Sequence, residues 1–107
     1  MNAKKYFEIV EDGIRELAID TFGGFSFEVV QDSRKFFDII MEDIERWSEQ
    51  MQSGELTKED VEWLLKAKKD LFEMQVLKQK GIAQIKIDEF KEKALHLMVD
   101  TAFKMVI

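Results

Sequence analysis

The sequence predicts an all-α fold, and three observations carry that expectation. Proline is absent from all 107 residues, so nothing removes a helical donor or clashes with the preceding turn. Apolar side chains recur at steps of three and four along three long segments. Between the segments lie a Gly23-Gly24 pair and a Ser53-Gly54-Glu55 turn. With 46% hydrophobic and 36% charged residues the chain has apolar matter for one domain core, and it is too rich in Phe, Ile, Leu and Val to be disordered.

The first helix covers about residues 3–22. Tyr6, Val10, Ile14, Leu17 and Ala18 make its apolar stripe, and Glu8, Glu11, Asp12, Arg15 and Glu16 sit opposite. Gly13 costs this helix about 1 kcal/mol relative to alanine, so close packing or a bend is expected there. Gly23 and Gly24 end it, because glycine readily takes the left-handed conformation of a helix C-cap. The next stretch, Phe25 to Val30, alternates apolar and polar residues. It reads as an extended connector that tucks Phe25 and Phe27 under the helices, with a short strand as the alternative.

The second helix is expected from about residue 33 to 52, with Asp32 or Ser33 as N-cap. Phe36, Ile40, Ile44, Trp47 and Met51 form its stripe, and Asp38, Glu42, Glu45 and Glu49 line the other face. Thr57 caps the third helix, with Glu59 and Asp60 in the first turn where the helix dipole favours negative charge. So short a connection predicts a helical hairpin between the second and third helices.

The third segment carries the boldest expectation. Val61, Leu65, Phe72, Val76, Ala83, Ile87, Ala94, Met98 and Met105 are separated by alternating steps of four and seven. A stripe recurring every eleven residues stays on one face of a nearly straight helix, and the phase survives Gly81. The spacing therefore predicts one helix over about 58–104, which at 1.5 Å per residue would span about 70 Å. The competing arrangement is α+β. There Gly81 ends a helix, 82–87 pairs as a strand with 25–30, and Asp88 caps a fourth helix.

A 70 Å helix outruns its companions and implies assembly. Leu64, Leu71, Ile82 and Ile85 form a second apolar strip, and Met98, Phe103, Met105 and Val106 continue the apolar surface toward the C-terminus. Left exposed, such a surface marks an interface. The sequence thus predicts a homo-oligomer, a two-fold dimer first, with those eight residues at the interface and the bundle completed by self-association. The segment 95–107 is apolar on nearly every side and must be covered by its own domain or by another chain. A protein partner is the other possible cover.

Charge and chemistry narrow the function. Sixteen basic and twenty-two acidic side chains give a net charge of −6, the wrong sign for nucleic acid or an anionic lipid surface. Residues 1–57 carry six basic and thirteen acidic side chains and residues 58–107 ten and nine, so Lys66, Lys68 and Lys69 are candidates to face the acidic stripe of the second helix, within the hairpin or across a dimer. Cysteine is absent, which excludes disulfides, thiol nucleophiles and thiolate metal sites. His96 has Glu92 and Asp100 at four-residue spacing, yet the Glu-x-x-His pattern of carboxylate-bridged di-iron sites fails at Lys93, and no second histidine exists. That face is expected to be solvated, as is the acidic stripe of the second helix. Trp47 and Trp63 are expected in the core. No phosphate-binding glycine loop or nucleophile elbow occurs, so no catalytic, cofactor or metal residue is assigned. No window resembles an export signal or a membrane span, and the cytoplasm is the expected compartment. The expected function is that of a non-enzymatic structural or interaction protein. The alternative is a helical regulatory module that holds a small apolar ligand or a partner helix, lined by Phe25, Phe27, Phe36, Phe37 and methionines.

Overall fold

The computed structural model describes residues 2–106. The fold is all-α: α1 (Ala3–Phe22), α2 (Ser26–Gln52), α3 (Lys58–Lys66), α4 (Gln75–Gln79) and α5 (Gln84–Val106), with a 3-10 turn at Lys69–Leu71. Among the described residues there is no strand, so the sheet from 25–30 and 82–87 does not form.

Helix α1 has the expected bounds. Asn2 accepts from the Lys5 backbone N–H at its start, and Gly23 closes it at φ 71° with its N–H on the Ile19 carbonyl at 2.8 Å. Phe25 then takes φ 62°, a left-handed conformation that costs a non-glycine residue about 1 kcal/mol or more. This sharp corner lets α2 begin at Ser26 and not at residue 33. The supposed connector is thus the first turns of α2, whose Val29 and Val30 enter the core. Neither expected N-cap serves as one. Ser33 is inside the helix, its hydroxyl donating to the Val29 carbonyl, and the Asp32 carboxylate turns away to the backbone of Val76.

A helical hairpin that the sequence did not predict joins α1 and α2 at Gly23-Gly24. Phe7 meets Phe37 with ring centroids 4.7 Å apart, and Arg34 donates to Glu11 at 2.7 Å, so α1 and α2 run antiparallel. Helix α3 packs chiefly against α5. The third face of the core is α5, antiparallel to α1: Phe22 meets Phe90, and Gly13 lies under Leu97. At Gly13 the helices approach closely enough that a Cβ would stand 2.6 Å from Leu97 Cδ2. The buried Tyr6 hydroxyl donates to the Met98 carbonyl at 2.7 Å, and burial pushes its pKa well above the usual tyrosine range.

The single helix over 58–104 does not exist. The whole molecule measures 43 × 24 × 21 Å, which no 70 Å rod could fit. The chain leaves α3 at Ala67, turns through Lys69–Leu71, and reverses after α4. At that reversal Gly81 has φ 76°, its N–H bonds the Lys78 carbonyl and the Ile82 N–H bonds the Leu77 carbonyl. This pair of bonds is a Schellman stop, which glycine allows without a Cβ penalty. Burial explains why the break wins. Folding back buries Phe72, Met74 and Leu77 completely, each worth roughly 1.5–3 kcal/mol over exposure. Phe72 stacks on Phe36 at 4.6 Å with the rings 5° from parallel. Asp32 holds this strap in place by accepting from the Val76 backbone N–H at 3.1 Å, at the start of α4.

Candidate functional site

Helix α3 is the element through which surface features become organised. Thr57 and Asp60 form a reciprocal capping box: the Asp60 N–H donates to Thr57 Oγ1 at 3.1 Å, and the Thr57 N–H donates to Asp60 Oδ2 at 2.9 Å. Val61 and Leu65 point into the core. Beside them runs a ladder of polar and charged side-chain pairs to α5. Lys58 reaches Asp100 at 2.6 Å, Glu62 meets His96 at 3.3 Å, and Lys66 lies 3.8 Å from Glu92. Each step of four forward on α3 is a step of four back on α5, so the two helices are antiparallel. Lys69 adds a 2.9 Å bond to Glu92.

The ladder accounts for the Glu92, His96 and Asp100 face. Each of the three turns to a partner on or just beyond α3, not to a shared centre, and among the described residues no three His, Asp or Glu side chains are placed to hold a metal ion. The Lys69 hydrogen bond holds the Glu92 carboxyl below its ordinary range, and Asp100 and Glu92 raise Lys58 and Lys69 respectively. Of the three lysines expected to face the acidic stripe of the second helix, none pairs with Asp38, Glu42, Glu45 or Glu49 among the described residues: Lys68 reaches Asp43, elsewhere on that helix, at 3.1 Å, while Lys66 and Lys69 turn to Glu92. At Asp43 partial burial opposes ionisation, but bonds from Arg46 and Lys68 outweigh it and lower the pKa.

The far side of α3 faces away from the bundle and carries Trp63, which is 76% exposed. Trp47 is buried as expected, so only Trp63 departs from the reading of both indoles as core. A signal for this was available. At 100° per residue Trp63 lies about 200° round the helix from Val61, opposite the buried side. Glu59, Lys66 and Ala67 share its outward face and are exposed, and Trp63, Lys66 and Ala67 border an apolar depression of about 240 Å³.

The eight residues expected at an oligomer interface differ widely in burial. Met98 is fully buried, and Leu64, Ile82 and Met105 pack partly buried against the core. Phe103 is half-buried with Lys58 Nζ 5.4 Å from its ring centroid, and Val106 is also half-buried. Leu71 and Ile85 remain exposed, at different places along the chain's reversal. The apolar segment from Leu95 is covered by its own domain, with Leu95, Met98, Val99 and Ala102 in the core; Ile107 lies outside the described residues.

The aromatic ligand cavity is not assembled. Phe36 and Phe37 are core residues, Phe25 packs on the core edge, and Phe27 is exposed at the start of α2. A shallow groove of about 420 Å³ follows the α1–α2 seam past Phe7 and Met41, with the Arg34–Glu11 ion pair on its wall. No helix is long and apolar enough to cross a membrane among the described residues. No protein-family model, curated protein or solved structure matches this chain.

Proposed function

We propose that this protein is a non-enzymatic helical interaction module that engages a protein partner through the outward face of α3. The observation that carries this reading is Trp63. A large aromatic side chain that contributes little to its own core is available to another surface, and tryptophan is among the residues that dominate binding energy at interfaces. The capping box and the side-chain ladder fix the helix that presents it, which lowers the ordering cost of association. The long C-terminal helix that suggested assembly is absent, so the interaction surface moves from the end of α5 to α3.

The test compares the folded protein and its Trp63→Ala variant as bait, with bound proteins, including further copies of the chain, identified and quantified. The expected result is a partner retained by the parent and lost by the variant at equal thermal stability. Identical captures by both baits would refute the assignment of function to this face.

A further inference from the structure

We infer that the partner on the outward face of α3 is a second copy of this chain, docked antiparallel about a two-fold axis at Trp63. The inference rests on the interaction reading above and adds the identity of the partner. Its warrant is the order of charge along the face. Glu59 lies one turn before Trp63 and Lys66 about one turn after it, both on the same lateral side of the indole. A two-fold axis across the helix keeps that lateral side and reverses the direction along it. Trp63 then meets its own copy, while Glu59 of each chain stands opposite Lys66 of the other, twice over. Ala67 leaves space beside each indole, where a longer side chain would hold the helices apart.

Both charges are available for this pairing. Glu59 forms no ion pair among the described residues, and the links from Lys66 to Glu62 and Glu92 are loose, at 3.6 and 3.8 Å. The face is nine residues long, so the buried area falls below the roughly 1,200 Å² of a stable interface. The dimer is therefore a weak and reversible one, set by concentration.

Sedimentation velocity on the purified protein, from micromolar to millimolar concentration, measures the association directly. Acrylamide quenching supplies a local readout, because Trp47 is already shielded at 5% exposure and only Trp63 can become protected on dimerisation. The expected result is a dimer whose formation protects Trp63. Trp63→Ala should raise its dissociation constant roughly tenfold or more. Lys66→Glu should weaken it as well, and the swap Glu59→Lys with Lys66→Glu should restore it. Glu59 and Trp63 stand outside the α3–α5 ladder, whereas Lys66 shares in it through its links to Glu62 and Glu92, so the far-UV spectrum and thermal melt of each Lys66 variant are read beside the parent's. A monomer at every concentration, a dimer indifferent to Trp63→Ala, or a charge swap that fails to restore association would each overturn the proposal. A monomeric parent that still captures another protein through Trp63 would overturn the second copy alone and leave the interaction module standing.

Discussion

Gly13→Ala sets two known effects against each other at the α1–α5 contact. In isolation the substitution should stabilise α1 by about 1 kcal/mol, the difference in helix propensity between glycine and alanine. Against this, the new methyl would stand 2.6 Å from Leu97 Cδ2 and 3.1 Å from Cδ1, closer than packed carbons tolerate. Both atoms are the free end of a half-buried side chain beside a groove of about 280 Å³. Leu97 can therefore turn aside at about 0.5–1.5 kcal/mol, the usual cost of an off-rotamer side chain. The two effects nearly cancel, and urea unfolding followed by circular dichroism should place Gly13→Ala within about 1 kcal/mol of the parent. In a Leu97→Ala background the obstacle is gone, and the same substitution should return the full propensity gain of about 1 kcal/mol. Two results would refute this reasoning. A loss of more than about 3 kcal/mol would mean that backbone, and not a leucine tip, blocks the methyl. An equal gain in both backgrounds would mean that Leu97 does not cover Gly13.

The strap and the ladder each give a further expected outcome. Phe72→Ala removes a fully buried ring stacked on Phe36 and should cost about 3–5 kcal/mol, measured by the same unfolding assay; a cost under about 1 kcal/mol would show that the strap is not packed on α2. Glu92 is held below its ordinary pKa chiefly by the Lys69 hydrogen bond, so near pH 4 the folded protein binds fewer protons than the unfolded chain. Its stabilising contribution is present above the unfolded pKa and is lost as pH falls through the folded one. Glu92→Gln should flatten the acid limb of the stability profile, and an unchanged limb would show that Glu92 is not paired in solution.

What was legible in the sequence divides along a physical line. Local signals held: the α1 stripe and its Gly23 stop and the Thr57–Asp60 start of α3 are each decided by a few neighbouring residues, whereas Gly13 announced either close packing or a bend, and only the contact with Leu97 on α5 decided between them. The eleven-residue phase from Val61 to Met105 misled because phase reports which side of each segment meets the core, not whether the segments are collinear. Val61, Leu65, Phe72, Ile87, Ala94 and Met98 are all buried, yet on pieces that fold back on one another. The deciding quantity was the apolar area of Phe72, Met74 and Leu77, which only a reversal could enclose. Gly81 carried the signal for that reversal, but a glycine inside a periodic pattern is ambiguous until the packing is known. The extension of α2 back to Ser26 was hidden for another reason. It requires Phe25 in a left-handed corner, which no propensity favours. The exposure of Trp63 could have been read from its angle to Val61, and was obscured by its neighbour Leu64.

Packing and function separate most clearly at α3. One side of this helix is accounted for by folding: Val61 and Leu65 fill the core, and the side-chain ladder sets its direction along α5. Exposed ion pairs contribute only about 0.2–1 kcal/mol each, so the ladder orients more than it binds. The other side has no such account. Burying an indole as exposed as Trp63 would release roughly 3–5 kcal/mol at the usual value per unit of apolar area, more than any single ion pair on this surface supplies. In an association built there the indole provides the strength, and Glu59 and Lys66 select the orientation. Because the fold gains so little from Trp63, its replacement tests recognition without disturbing the bundle that displays it.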